Sequence, residues 1–411
     1  MRVAVIGSGI VGVGAAYELS ARGVSVTVVD GSFHGRATQA SAGIVCPWVD
    51  HPDDQDWYRL TREGALHYPR LVEELGEDIG YARVGALLVA EDPADLEAPR
   101  TLLAHRRPEA PEMGEVTDVA APTALFPPLA EDLSALHVPG AARVDGGAVR
   151  DALLRAAVRR GAELRAGTAT LTPDGRVLVR EARESDSRGL AAHPPPAPGA
   201  SSGAPDEAGV HGSWRRSAPL RPGAGERPVE AGSEAGDGTP IEADMVIVAA
   251  GAWAGEVCRP LGTELPVFPR RGQIVYAALD GVDTAWWPIV LPRNGPYLVG
   301  LPGSQVVVGA TVEDVGFAAR VTMGGLDDVL REGLRVAPGL FGATVTEARV
   351  GLRPVYAPGP PLIGHLTDRV VVATGLSAYG LTAGPFTGRI AADLALGHEP
   401  PIDVTAYRPA G

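Results

Sequence analysis

The sequence predicts an α/β fold with a second, α+β domain. A glycine-rich turn at residues 7–12 stands between an apolar run and a helical pattern, and glycine signals return at 251 and 375–380. Residues 266–278 and 297–311 read as longer strands of antiparallel character. Glycine signals so far apart imply that segments of one nucleotide-binding domain are interleaved with those of another.

Residues 2–6 form a short apolar run bounded by Gly7, the pattern of a buried strand. Gly7, Gly9 and Gly12 follow in G-x-G-x-x-G spacing; Ile10 and Val11 open a helix expected over 10–22, which Gly23 stops. Residues 24–29 form a second strand, ended by Asp30. Gly7 permits the tight turn, Gly9 lets a pyrophosphate reach the backbone, and Gly12 lets helix pack on strand. The helix N-terminus adds free N–H donors and a positive dipole end. Asp30 can bind both ribose hydroxyls and would repel a 2′-phosphate. The unit is Rossmann-like, and this fingerprint alone leaves FAD and NAD both open.

Thr38 to Val45 is a small-residue stretch able to run against a flat ligand. A helix is expected over 59–75, a strand over 84–89, and a helix over 145–160 stopped by Gly161. Residues 162–180 read as strands around Pro173-Asp174-Gly175. Residues 184–240, rich in Pro, Gly, Ala, Ser and Glu, bury too little apolar surface to offset ordering entropy. They are expected to be a disordered or mobile insertion. A strand follows at 244–248, then a helix at 326–336. Arg349 to Pro354 leads into a Pro-rich turn; a strand at 370–373, a turn at 375–382 and a helix at 385–397 close the chain.

Composition narrows the chemistry. The 411 residues suffice for two or three folding units, and 45% apolar with 21% charged residues is ordinary for a soluble protein. A net charge of −14 argues against nucleic-acid binding. There is no lysine, which excludes a pyridoxal Schiff base and a P-loop. Cys46 and Cys258 form no C-x-x-C pair, so neither a zinc framework nor a disulfide scaffold is expected. No apolar run approaches the ~20 residues of a membrane helix, and the N-terminus passes directly into a strand. A cytoplasmic location is the corresponding expectation.

An ordered set of motifs spans nearly the whole chain outside 184–240. They are V-A-V-I-G-S-G-I-V-G-V-G-A-A-Y-E-L at the start, S-A-G-I-V after Asp30 and V-I-V-A-A-G-A-W-A at 246–254. R-R-G-Q at 270–273, Y-L-V-G to V-V-V-G-A-T at 297–311, G-L-R-P at 351–354, P-L-I-G at 361–364 and A-T-G-L-S-A-Y-G-L-T-A-G-P-F-T-G at 373–388 follow. In this order the chain resembles the D-amino-acid oxidase superfamily of FAD enzymes, close to its glycine-oxidase and D-amino-acid-dehydrogenase-like members. The resemblance implies non-covalent FAD, since neither Cys lies in the late segment where relatives with a covalent flavin carry one. Residues 1–80, 138–183, 241–265 and 355–411 would form the FAD domain, with 81–137 and 266–354 the antiparallel-sheet substrate domain.

Roles follow by position in that resemblance. Gly7, Gly9 and Gly12, with Ile10 and Val11, would meet the pyrophosphate, and Asp30 the ribose. Thr38, Ser41, Gly43 and Ile44 would run along the flavin, and Ala250, Gly251 and Trp253 would close over the adenosine end. Gly375, Ser377, Tyr379, Gly380, Leu381 and Thr382 would wrap the flavin edge, with the final helix aiming its N-terminus at the ring. Arg353 would grip a substrate carboxylate through parallel hydrogen bonds. Tyr297 aligns with an active-site tyrosine, Tyr379 would face the substrate, and Trp48 would line the pocket mouth. Leu376 and Ala378 depart from the family pattern, which often has a polar residue and an Arg there.

The implied reaction oxidises an amino acid or secondary amino acid at Cα–N, by hydride transfer to flavin N5. The imine then hydrolyses to an oxo acid plus ammonia or an amine, and electrons pass to oxygen or another acceptor. Two other readings stay open. One is an NAD-dependent dehydrogenase, against which the C-terminal glycine turn speaks. The other is a flavin-bound partner protein without turnover, docking through 184–240. Chirality, side chain and oligomeric state are not encoded in these motifs.

Overall fold

The computed structural model describes residues 1–181, 238–357 and 359–409. The expected insertion therefore lies outside the described residues as far as 237; its last residues already belong to the strand Thr239–Ile241.

Six strands form the first sheet, in the order Leu362–Thr367, Val370–Thr374, Met245–Val248, Arg2–Ile6, Ser25–Asp30 and Glu163–Ala166. All pairs are parallel except the first, an antiparallel hairpin at one edge. Its central strands are short Val/Ile/Ala runs, buried on both faces as parallel strands must be. Helices Ile10–Ala21, Gly146–Arg159 and Gly380–Ala395 share a core with one face. At Gly388 a Cβ would stand 2.6 Å from Ala15 N and Val11 O, so the last helix approaches the first without a side chain between them.

The second sheet has eight strands: Thr344–Tyr356, Val267–Ala278, Gln305–Gly309, Tyr297–Leu301, Ile289–Pro292, Ala86–Ala90, Ser134–Val138 and Thr117–Val119. Only the pair Ile289–Pro292 with Ala86–Ala90 is parallel. Alternate residues feed two separate cores: Leu88, Ile274 and Val299 on one face, Leu87, Val275 and Leu298 on the other. Helix Met323–Val336 packs on the second of these faces through Val329 and Val336. No helix among the described residues is long and apolar enough to cross a membrane.

Three elements depart from expectation. The helix Gln55–Leu75 starts four residues early because Asp54 caps it, accepting the Trp57 N–H at 3.0 Å. Residues 349–354 continue inside the long strand Thr344–Tyr356, whose Pro354 is tolerated because the strand is an edge. The final helix starts at Gly380, so 380–382 is its first turn and Pro385 lies inside it. Proline cannot donate to the Leu381 carbonyl four residues back. The fully buried Tyr68 does so instead, its hydroxyl 2.6 Å from Leu381 O.

Replacing Tyr68 by Phe leaves that carbonyl buried and unsatisfied. Thermal unfolding of Tyr68→Phe is expected to show a loss of about 1–3 kcal/mol; an unchanged melting temperature would show the carbonyl satisfied otherwise.

Candidate active site

A continuous cleft runs from the first glycine turn to the face of the eight-stranded sheet. At its nucleotide end, Gly7 has φ +104° and passes so close to the next strand that a Cβ would lie 2.4 Å from Ala249 O. Helix Ile10–Ala21 begins with no side-chain cap from Gly9, and its Ile10 N–H is met at 3.1 Å by Thr38 Oγ1. Asp30 ends its strand facing this turn. It accepts Ser8 N at 2.8 Å, Ser8 Oγ at 2.6 Å, Ser32 N at 2.7 Å and the Arg36 guanidinium. Burial would raise the Asp30 pKa; the Ser8 hydroxyl, the two N–H groups and Arg36 together outweigh it and hold it below the usual range. Arg150 reaches over from helix Gly146–Arg159, donating to Ser8 O at 2.9 Å and Ser8 Oγ at 2.7 Å.

The middle of the cleft is lined by Thr38, Ser41, Gly43 and Ile44 on one side. Ser41 Oγ donates to Thr38 O at 2.9 Å, and Thr382 Oγ1 to Ile44 O at 3.0 Å. Thr382, Leu381 and Gly380 bring the first turn of the final helix to the wall, joined by Ala250, Gly251, Trp253 and Ser377. Thr374 Oγ1 donates to Gly251 O at 2.9 Å, tying the two glycine segments together.

The far end rests on the paired strands Thr344–Tyr356 and Val267–Ala278. Their register sets Arg353 opposite Arg270 and Gly351 opposite Gly272. The Arg353 guanidinium lies over Gly272, where a Cβ would stand 2.5–2.6 Å from its Nη2, Cζ and Nη1. Arg353 Nη1 donates to Thr311 O at 3.0 Å and more weakly to Arg271 O at 3.4 Å. Among the described residues it forms no ion pair. Tyr297 lies opposite Gly309, whose absent Cβ would stand 2.9 Å from the tyrosine hydroxyl. Burial pushes Tyr297 up to about 12, only partly offset by the Arg353 charge. Tyr379 adds a ring wall, 4.5 Å from His51 and 5.4 Å from Trp57 between centroids. Cys46 and Asp50 also line the cleft on a loop braced by Arg106, which donates to Trp48 O, Asp50 O and His51 O at 2.6–2.7 Å.

The cleft brings together Arg353, Tyr297, Tyr379, Gly7, Gly9, Ile10, Val11 and Asp30 with the flavin-segment residues named above. Three expected residues lie outside it. Trp48 is buried among Cys46, Val49 and Leu103, with its indole N–H 3.4 Å from Glu112. The apolar indole finds its place in the core beside Arg62 and Glu112, and only its carbonyl serves the cleft loop. Gly12 faces back onto the turn: a Cβ there would lie 1.9 Å from Gly7 O, so its role is packing. Gly375 bends the chain at φ +83° against Tyr356 and contributes shape to the wall, not surface. Sequence reasoning missed Arg36, Arg150, Asp50 and Gly272. Only Gly272 left a signal, a glycine inside a strand pattern.

The sequence model of the DAO family, FAD dependent oxidoreductase, matches residues 2–192 and 214–394. The chain is 36% identical to the uncharacterized oxidoreductase YurR of Bacillus subtilis (strain 168), over 99% of this chain and 98% of that protein. It is 29% identical to a glycine oxidase of Pseudomonas aeruginosa, over 100% and 99% of the two chains. The solved structure of iminodiacetate oxidase (IdaA) from Chelativorans sp. BNC1 superposes with a TM-score of 0.84 at 38% identity, covering 99% of both chains.

A Cβ at position 7 would collide with backbone, so Gly7→Ala should disrupt the nucleotide end. The ratio of flavin to protein absorbance after purification is expected to fall about tenfold or more; full flavin content in Gly7→Ala would contradict this geometry.

Proposed function

The chain belongs to the DAO family of FAD-dependent oxidoreductases, and from that premise we propose that it oxidises a small amino acid, primary or secondary, at its Cα–N bond. The family removes the NAD-dependent reading. The observation that carries the proposal is Arg353: a guanidinium at the end of the nucleotide cleft, held by backbone carbonyls and beside a neutral tyrosine. Glycine and iminodiacetate, named in the relatives, share the unit N–CH2–COO⁻, whose carboxylate such a group can orient.

The glycine turn, the Thr38–Ile44 wall and the first turn of the final helix have the shape and donors that FAD requires. When bound, FAD supplies the two-electron acceptor for the Cα hydride. Arg353 grips the carboxylate and Tyr297 donates a hydrogen bond to it, which aims Cα along the cleft. Tyr379 walls the side chain. The N-terminus of helix Gly380–Ala395 favours negative charge where the ring would lie. The substrate, bound with its amine neutral, becomes an iminium once its nitrogen lone pair has pushed out the hydride, and water hydrolyses the iminium to an oxo acid plus ammonium or a protonated amine. No side-chain base is needed for that balance.

Non-covalent attachment is the matching reading for the cofactor. Cys258 is buried in the core behind the parallel sheet, and burial, with Asp50 nearby, raises the Cys46 thiol so that little thiolate forms. Acid precipitation should release all flavin into the supernatant; flavin retained on the pellet would overturn it.

Anaerobic mixing with glycine, sarcosine, iminodiacetate, proline and D-amino acids should bleach the flavin with at least one of them. The corresponding amines without a carboxylate should not. Arg353→Ala should raise KM by about 100-fold. Because Tyr297 stays protonated below about 12, substrate affinity should show no alkaline limb from it up to pH 10. Equal bleaching by decarboxylated amines would sink the reading, and no bleaching by any amine would favour a flavin-bound partner without turnover.

A further inference from the structure

We propose that Glu313 and Thr311 are positioning residues that set the aim of Arg353, an inference that rests on the carboxylate-binding reading above. Beyond Gly309 the chain rejoins the strand Val267–Ala278 through an irregular step. Thr311 N donates to Gln273 O at 3.1 Å, Arg271 N to Glu313 O at 2.9 Å, and Glu313 N to Arg271 O at 3.0 Å. Side chains stitch the same step. Thr311 Oγ1 accepts Gln273 N at 2.9 Å and donates to Glu313 Oε1 at 2.6 Å. Gln273 Nε2 donates to the same Oε1 at 2.6 Å, and Arg271 Nη2 pairs with Oε2. Gln273 Oε1 accepts Thr322 N at 2.7 Å, which anchors the assembly to the cap of helix Met323–Val336.

The product of this stitching is two backbone carbonyls, Thr311 O and Arg271 O, turned toward Arg353 Nη1. A carbonyl aims a guanidinium only if its own peptide plane is fixed. Here the Thr311 carbonyl lies between two held residues, Thr311 pinned through its N–H and hydroxyl and Glu313 through its N–H and carbonyl, and the hydroxyl's direction is set by the Glu313 carboxylate. Strand alternation places Arg271 and Arg353 on opposite faces, since Arg271 pairs with Leu352. Glu313 therefore neutralises Arg271 without competing for Arg353, whose charge stays available to a substrate. Gly272 between them supplies the flat surface on which Arg353 lies.

The test uses the oxidised holoenzyme and acetate, a carboxylate without an amine, titrated by its perturbation of the flavin spectrum. Glu313→Gln keeps the side-chain shape and removes the charge; Thr311→Val removes the hydroxyl at nearly constant volume; Thr311→Ser retains it. The first two should each weaken acetate binding about tenfold and raise substrate KM in parallel, with kcat within about twofold. Thr311→Ser should bind within about twofold of the parent. Unchanged acetate affinity in Glu313→Gln and Thr311→Val overturns the proposal, even if their melting temperature or flavin content falls. Arg353→Ala separates the two levels: unchanged acetate affinity there would overturn the carboxylate-binding reading itself.

Discussion

Where the last helix crosses the first, nothing but hydrogen stands between the two backbones at residue 388. The same constraint recurs at both ends of the cleft. Gly7 lies against Ala249 O, and Gly272 lies under the Arg353 guanidinium. Each contact needs a surface without a side chain, and each places a polar group where a Cβ would otherwise stand. The helix crossing, the first glycine turn and the far end of the cleft are thus variations on one requirement, close approach of backbone. Interiors packed at crystal-like density leave no slack to absorb an added methyl at such points.

Charge is distributed along the cleft in two different ways. At the nucleotide end, Asp30 accepts from several donors of its own chain, and Arg36 and Arg150 reach Asp30 and Ser8. The carboxylate there is a structural hub for the glycine turn as well as a candidate ribose ligand. At the far end the pattern inverts. Arg353 meets carbonyl dipoles, while the nearby carboxylate, Glu313, is turned to Arg271 on the other face. At one end the acid is committed to internal order; at the other the cation rests on backbone carbonyls. That contrast makes the cleft polar along its length, with a held carboxylate at one end and a guanidinium at the other.

Local signals made much of this legible in the sequence. The first strand, turn, helix and second strand follow from residues within a span of thirty, and the structure keeps them nearly to the residue. Arg353 was legible through the resemblance, in which the Arg of G-L-R-P grips a carboxylate; that its strand pairs with the one carrying R-R-G-Q came only with the structure. What escaped notice depends on contacts across the chain. Arg150 stands 142 positions from Ser8, and nothing near it announces the encounter. Trp48 read as a pocket residue because it follows the small-residue segment, yet a core pocket beside Glu112 claims the indole. The start of the final helix was misplaced because a proline ordinarily marks a first turn. Here a distant tyrosine removes the penalty that makes the rule work.

That tyrosine ties two ideas together. Leu381 lines the cleft, and its carbonyl receives from Tyr68 what residue 385 cannot give. Tyr68 and Pro385 are therefore complementary halves of one acceptor's satisfaction. If residue 385 regained an N–H, the hydroxyl 317 positions away in the sequence would become redundant. The two sites should drift together or not at all, because one shared carbonyl makes each position constrain the other. A helix that touches the cleft is thereby registered against helix Gln55–Leu75, which contributes no residue to its wall.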